Sequence, residues 1–222
     1  DGIKITDKLE YIIKNKDDYA IVQELLINPY LIDNRKINIR IYMLIICQND
    51  DFTSYIFDNG FLYYTKKKFI KNSKNTDNHI TTGYIDRKVY DKNPLTISDL
   101  KIYLDNKNRK INNSEIEILR KNNKLSEYLF YNIKTVIKKS IVSIRPHVCK
   151  KKKIKNIKKF ELFGIDLFIT DKLQCKIMEI NKGPDLSSKD KRDGNVKNNL
   201  LNNIFEKVGV LKGNCKNLIK IL

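Results

Sequence analysis

From Ile37 the chain alternates aliphatic and polar residues as far as Arg40, and from Ile41 to Cys47 it carries no charge at all. A stretch of that length, polar on one side at its start and apolar throughout at its end, predicts a central strand covered on both faces. The rest of the chain has to supply that cover. Phe52–Phe57 and Gly60–Tyr64 read as two neighbouring strands, with Asp58-Asn59-Gly60 as their hairpin turn. Tyr19–Leu26 has the length and apolar content of a further strand, closed by Asn28-Pro29.

Helical spacing appears where the strands stop. Leu9, Ile12 and Ile13 predict a short helix, and Ser114 with Glu117 has the form of a capping box. Leu125, Leu129, Ile133, Val136, Ile137, Ile141 and Ile144 line one face of a long helix that ends before Pro146. Val196, Leu200, Leu201, Ile204, Phe205 and Val208 mark another near the end. Between them, Glu161–Thr170 and Gln174–Asn181 read as two strands, while Asn72–Lys92 reads as a long polar loop. With no internal repeat and no Pro/Gly-rich linker, the expectation is one α+β unit built on a mostly antiparallel sheet with flanking helices.

Hydrophobic residues form 41% of the 222, enough for a buried interior, so global disorder is excluded. No apolar run approaches the ~20 residues that span a bilayer, and the chain reads as soluble and cytoplasmic, without a membrane partner. Cys47, Cys149, Cys175 and Cys215 lie far apart, with no CxxC pair. Reduced, buried thiols are therefore expected in preference to a disulfide or a zinc site. The net charge of +18 attracts anions such as acidic protein tails or nucleic acid. Its densest portion, Lys150-Lys151-Lys152-Lys153 with Lys155, Lys158 and Lys159, falls in a basic loop expected over residues 145–160. The chain has no RNP-like, KH-like or helix-turn-helix signature and no aromatics interleaved with the lysines, so nucleic acid is set aside as the partner.

The segment richest in chemistry is Phe163-Gly164-Ile165-Asp166-Leu167-Phe168 followed by Ile177-Met178-Glu179-Ile180-Asn181. Alternation puts Glu179 and Asn181 on one face of their strand. A turn at Asp171-Lys172-Leu173 then sets Asp166 roughly opposite Glu179, with Cβ atoms about 4.5–5.5 Å apart. Two carboxylates at that spacing repel unless a cation or a proton lies between them. With an amide oxygen and no His or Cys, the donor set suits Mg2+, which keeps positions open for water and substrate phosphates.

The motifs in their order resemble the tubulin tyrosine ligase-like family of amino-acid ligases. Val22-Gln23-Glu24-Leu25-Leu26 leading into Arg35-Lys36-Ile37-Asn38-Ile39-Arg40-Ile41-Tyr42 is similar to that family's VQ-x-Y-I hinge and R-K-F-D-I-R-x-Y strand. Asn78-His79-Ile80-Thr81-Thr82 resembles its H-L-T-N motif, and Phe163–Asp166 with Glu179–Asn181 resembles its F-G-x-D and E-x-N metal motifs. Pro184 and Lys197 also fit, and the resemblance spans nearly the whole chain.

The resemblance implies an ATP-grasp fold, with ATP and Mg2+ as cofactors. Gln23, Glu24, Leu25 and Leu26 would meet the adenine, and Lys36 the phosphate or ribose. Asn38, Thr81 and Thr82 would line the same pocket, and Asp1-Gly2 would end a loop over the phosphates. Asp166, Glu179 and Asn181 would hold the metal, Arg40 would face the reacting phosphate, and Lys197 would bind the carboxylate of a free amino acid, glutamate. The implied acceptor is tubulin or another acidic protein tail, and the implied place of work is the cytoplasm or cytoskeleton.

Three departures from the family pattern matter. Asn38 stands for an aspartate, Thr82 for an asparagine, and Tyr63 or Tyr64 for an arginine that helps hold the amino acid. The resemblance also implies an N-terminal lobe before Asp1, so residues 1–222 are expected to be an incomplete catalytic core. The alternative is a catalytically impaired relative that binds acidic tails or microtubules without chemistry.

Overall fold

The computed structural model describes residues 2–48, 51–108, 114–122, 124–149 and 158–222. Asp1 and the lysines at 150–153 and 155 therefore lie outside the described residues, and with them the middle of the expected basic loop. The long strand foreseen from Ile37 onward is β2, Arg35–Gln48, and it lies at the centre of the sheet. Its neighbours are β3, Asp51–Thr65, on one side and β5, Lys159–Ile169, on the other. Beyond them come β4, Thr81–Thr82, and β6, Cys175–Lys182, so the order is β4-β3-β2-β5-β6. The short β1, Leu31–Ile32, pairs with the start of β2, and β7, Leu218–Lys220, pairs with the middle of β3. All of these pairings are antiparallel, as expected for a mixed α and β chain of this kind.

Alternation in β2 divides the sheet into two faces. Ile37, Ile39, Ile41, Met43 and Ile45 are all 1% exposed or less and form an aliphatic face with Leu62, Ile165 and Leu167. That face is covered by α3, Ile97–Asp105, and by α5, Leu125–Ile144, whose Leu129, Ile133, Ile137 and Ile141 form the expected buried stripe. The opposite face carries Lys36, Asn38, Arg40 and Tyr42, and its far end is covered by α6, Lys191–Val208. Lys197 and Lys207 of α6 stand over the Phe61 and Tyr55 rings of β3. The remaining helices are α1, Leu9–Lys14, α2, Val89–Lys92, inside the expected polar loop, and α4, Ser114–Asn122. A complete capping box closes the start of α3, where Thr96 Oγ1 accepts from Asp99 N and the Asp99 carboxylate accepts from Thr96 N. At α4 the helix begins at Ser114 as expected, and Glu117 accepts from Arg120.

Three expectations are corrected. Asp58-Asn59-Gly60 is no hairpin turn, because β3 runs unbroken from Asp51 to Thr65 and bulges there. The register passes from Ile41 opposite Gly60 to Met43 opposite Ile56, so β3 carries extra residues at this point. Asn59 stabilises the bulge by accepting from Gly60 N and Ser98 N through its side-chain oxygen. Tyr19–Leu26 is irregular chain, and Ile21 and Val22 are exposed. Among the described residues no strand pairs with it, and without a partner an apolar run gains nothing from extending. Finally, Cys47 is bonded to Cys149. The end of β2 and the segment after α5 bring their Cα atoms to 5.6 Å, within the range a disulfide needs, across a separation of 102 residues that spacing could not reveal. Cys175 and Cys215 are free, as expected.

Gly60 tests the bulge. A Cβ there would lie 2.2 Å from the Arg40 carbonyl oxygen and 3.1 Å from Ile97 Cδ1. Gly60→Ala should therefore force β2 and β3 apart and destabilise the chain by at least about 2 kcal/mol, read as a lower urea midpoint. An unchanged midpoint would show that the two strands are not held this closely.

Candidate functional site

On the polar face of β2, each residue is set by the register of its neighbours. Asn38 lies between Tyr63 of β3 and Phe168 of β5. Arg40 lies between Phe61 and Asp166, and Asp166 is in turn opposite Glu179 of β6. Tyr42 is opposite Gly164, and Gly164 opposite Asn181. The residues expected at a metal and phosphate site thus fall in adjacent rows of a single surface.

The facing of Asp166 and Glu179 depends on a bulge that the sequence reading did not foresee. From the turn, β5 and β6 pair regularly through Ile169 with Cys175, Phe168 with Lys176 and Leu167 with Ile177. Continued regularly, the next pair would be Asp166 with Met178, and Glu179 would point to the other face. Instead the register shifts after Leu167, Met178 is the extra residue, and Glu179 meets Asp166. Bulges re-aim side chains in this way beside functional sites. The displaced Met178 accepts through Sδ from Asn38 Nδ2 at 3.0 Å. The signal for this in the sequence is the count of residues between the turn and each carboxylate, which misses a regular pairing by one.

Arg40 and Asp166 form a two-pronged ion pair, Nε to Oδ1 at 2.5 Å and Nη2 to Oδ2 at 2.7 Å, with both side chains 14% exposed. Burial opposes the guanidinium charge, but the Asp166 hydrogen bond and the surrounding charges outweigh it and raise the Arg40 pKa above its ordinary value. The guanidinium also stands 5.5 Å from the Tyr63 ring centre. Burial pushes the Tyr63 phenol up to about 12, so it remains a neutral hydroxyl. Gly164 leaves room for the arginine stem, since a Cβ there would lie 2.9 Å from Pro184 Cβ and 3.2 Å from Arg40 Cδ.

The donor set beside this pair fits a hard cation. Asn181 donates through Nδ2 to Glu179 Oε1 at 2.7 Å, which turns the amide so that its oxygen is the free end. Asp166 uses each oxygen once toward Arg40, leaving further lone pairs. Two carboxylates and one amide oxygen, with Glu179 exposed, suit Mg2+ with open positions for water and phosphate. Among the described residues no group of three His, Cys, Asp or Glu could hold a metal ion, so a third protein donor beside Asp166 and Glu179 would have to be the Asn181 amide.

Lys36 lies at the start of the same face. It is 3% exposed, 5.2 Å from the Phe168 ring centre, and has no carboxylate partner among the described residues. Desolvation lowers its pKa to about 8. The buried Asn38 Oδ1 nearby also lacks a partner. A desolvated ammonium and a buried amide oxygen without a partner are both costly to the fold.

The other expected residues are placed less uniformly. Thr81 and Thr82 pair with Thr65 and Tyr64 at the β3 edge. His79, in the same motif, is wholly buried, 2.8 Å from Ser73 O through Nε2 and edge-on to Phe69, so it braces the loop. Gln23 and Glu24 are exposed and Leu25 and Leu26 half-buried in irregular chain. The chain there joins the sheet only afterwards, where Tyr30 N donates to Ile169 O and Pro29 bridges Thr170. Gly2 is exposed with φ 118°. Lys197 is 5% exposed and already matched, with Nζ 2.7 Å from Asp193 Oδ2 and 2.5 Å from Ser187 O.

Comparison with known proteins identifies relatives. The model of the tubulin-tyrosine ligase family matches residues 1–217. Tubulin polyglutamylase TTLL5 of Mus musculus is 25% identical over 90% of the chain and 16% of its own length. Tubulin monoglutamylase TTLL4 of Mus musculus is 25% identical over 98% of the chain and 18% of its own length. A probable beta-tubulin polyglutamylase of Tetrahymena thermophila is 26% identical over 90% of the chain and 17% of its own length. The chain thus spans less than a fifth of the length of these relatives.

The unmatched charge of Lys36 has a consequence for stability. Its folded pKa of about 8 lies below its ordinary 10.5, so between those values the unfolded chain binds more protons and stability rises with pH. The cost of burying the charge is present in full below about 8 and gone above 10.5. Lys36→Met should therefore raise the urea midpoint at pH 7, and the gain should shrink toward pH 10.5. A gain that does not change with pH would show that the ammonium is not desolvated.

Proposed function

The chain belongs to the tubulin-tyrosine ligase family, and from that premise we propose that it is the core of an ATP- and Mg2+-dependent ligase of the ATP-grasp type. The reaction joins a free amino acid, glutamate in this reading, to a carboxylate of an acidic protein tail such as that of tubulin. The observation that carries it is the row of Arg40, Asp166, Glu179 and Asn181 beside the buried, unmatched Lys36. The relatives named above are glutamylases of tubulin, and a net charge of +18 suits a polyanionic acceptor.

The chemistry needs no covalent attachment to the protein. An acceptor carboxylate oxygen attacks the γ-phosphorus of ATP, the bond to the bridging oxygen breaks, and ADP leaves behind an acylphosphate. The amine of the amino acid then attacks the acyl carbon, phosphate departs, and the amine gives up a proton as the amide forms. Bound at Asp166, Glu179 and Asn181, Mg2+ would supply charge neutralisation for the phosphates. Lys36 contributes a preformed ammonium for a phosphate oxygen, and Arg40, fixed by Asp166, a rigid donor directed at the transferring group. The same surface would serve the second reading, a chain that binds acidic tails without turnover, and dependence on nucleotide separates the two.

Titration calorimetry of ATP with and without Mg2+ tests the reading. We expect Mg2+-dependent binding that Glu179→Gln abolishes. ATP that binds equally well without Mg2+, or no binding at all, would remove the ligase reading. Because only the protonated Lys36 offers a charge to phosphate, raising the pH above about 8 should also weaken ATP binding, by up to about tenfold per pH unit. That pH dependence should vanish in Lys36→Met.

A further inference from the structure

We propose that Asn38 is a positioning residue for Glu179, acting through the thioether of Met178, so that β2 sets the aim of a metal donor two strands away. The inference rests on the ligase reading above. On this side of the sheet β6 is the outermost strand, and β5 lies between it and β2. Neighbouring strands are about 4.8 Å apart, so short side chains on β2 do not ordinarily reach β6. Asn38 and Met178 close the gap from both ends, with Nδ2 donating to Sδ at 3.0 Å. Asn38 is 5% exposed, and among the described residues its side chain makes no other hydrogen bond, since Oδ1 has no partner. The sulfur is therefore what orients the amide.

The bulge in β6 makes that contact matter for Glu179. Met178 and Glu179 together stand where regular pairing would put one residue opposite Asp166. Ile177 and Ile180 flank the bulge, opposite Leu167 and Ile165, and pack against the core on the aliphatic face. Those two contacts keep the extra residues between them, but they do not direct the side chains on the polar face. Met178 is 45% exposed, on a side chain with three rotatable bonds. Its tie to a buried amide of β2 removes that freedom beside the carboxylate.

The other donors are restrained independently of this contact. Asp166 is gripped by Arg40 through both oxygens. The exposed Glu179 is held among the described residues only by Asn181, a residue of the same strand. The one side-chain hydrogen bond that links this turn of β6 to the middle of the sheet is the one through Met178. Magnesium demands near-ideal octahedral geometry at short distances, so a carboxylate free to swing holds it poorly. The pair is also directional. A thioether accepts weakly and does not donate, so residue 38 has to be a donor, and an ionised aspartate there could not make the bond.

The test compares affinity for a non-hydrolysable ATP analogue with and without Mg2+ by titration calorimetry. The chains compared are the unaltered one, Met178→Leu, Met178→Gln, Asn38→Leu and the double variant Asn38→Leu with Met178→Leu. Losing one hydrogen bond should reduce the strengthening that Mg2+ confers by about threefold to tenfold in Met178→Leu, with Mg2+-free affinity unchanged. Met178→Gln offers Asn38 Nδ2 an amide oxygen and should recover most of the loss, which separates the hydrogen bond from packing. The double variant should lose no more than Asn38→Leu alone. An undiminished Mg2+ effect in Met178→Leu would overturn the assignment and leave the ligase reading standing. So would losses that add in the double variant, because Asn38 would then act by another route. An equal loss with and without Mg2+ in Met178→Leu would also overturn it, since the contact would then serve the fold or the nucleotide. An unaltered chain that gains nothing from Mg2+ would remove the ligase reading and this assignment together.

Discussion

The bidentate bond between Arg40 and Asp166 organises this molecule. It joins β2 and β5, with the two residues 126 apart in sequence, on the face where both are mostly shielded from water. An arginine or an aspartate alone at 14% exposure would carry a heavy desolvation cost, and each makes the other tolerable. The geometry also fixes a direction. With Nε and Nη2 each committed to one oxygen of Asp166, the carboxylate is held in one orientation on the row where Glu179 is its neighbour across β6. The pair is thus both a weld within the sheet and a template for what can approach from outside it.

That template works only because β6 departs from regular pairing. Alternation alone tells which residues of one strand share a face, but the relation between strands depends on the count through each turn and each bulge. Met178 as the extra residue in β6 brings Glu179 and Asn181 onto the Asp166 face, whereas the two extra residues in β3 near Gly60, an even number, leave Tyr55 and Phe61 on the one face where alternation already puts them. Both irregularities lie next to polar rows. A sheet of strict alternation would have been simpler to form, but it would leave one carboxylate of the metal set pointing into the aliphatic layer.

These facts separate what the sequence made legible from what it did not. The central strand, the long helix, α6 and the carboxylate hairpin were readable because each carries its period in its own residues, and Asp166 did prove to face Glu179. The bulge that produces that pairing was not readable, since Met178 looks like any aliphatic residue of a strand. Asp58-Asn59-Gly60 has turn chemistry, and the same preference for tight backbone serves a bulge when a helix such as α3 waits to donate Ser98 N to Asn59. Tyr19–Leu26 has strand composition but no partner among the described residues to extend against. Cys47 and Cys149 meet only because β2 and α5 end at the same place, which is a property of the fold and not of their spacing.

The charges of the polar face carry the functional argument one step further. Arg40 and Lys197 are buried with an aspartate each, and such pairs are complete without any ligand. Lys36 is not complete: it is buried, 5.2 Å from the Phe168 ring centre, with no carboxylate within ion-pair distance among the described residues. A fold that desolvates an ammonium group without a counter-charge beside it loses stability there. In the proposed reading a phosphate oxygen arriving at Lys36 offsets that loss. Lys197 of α6 can be so deeply buried because Asp193, one turn earlier on the same helix, neutralises it in place.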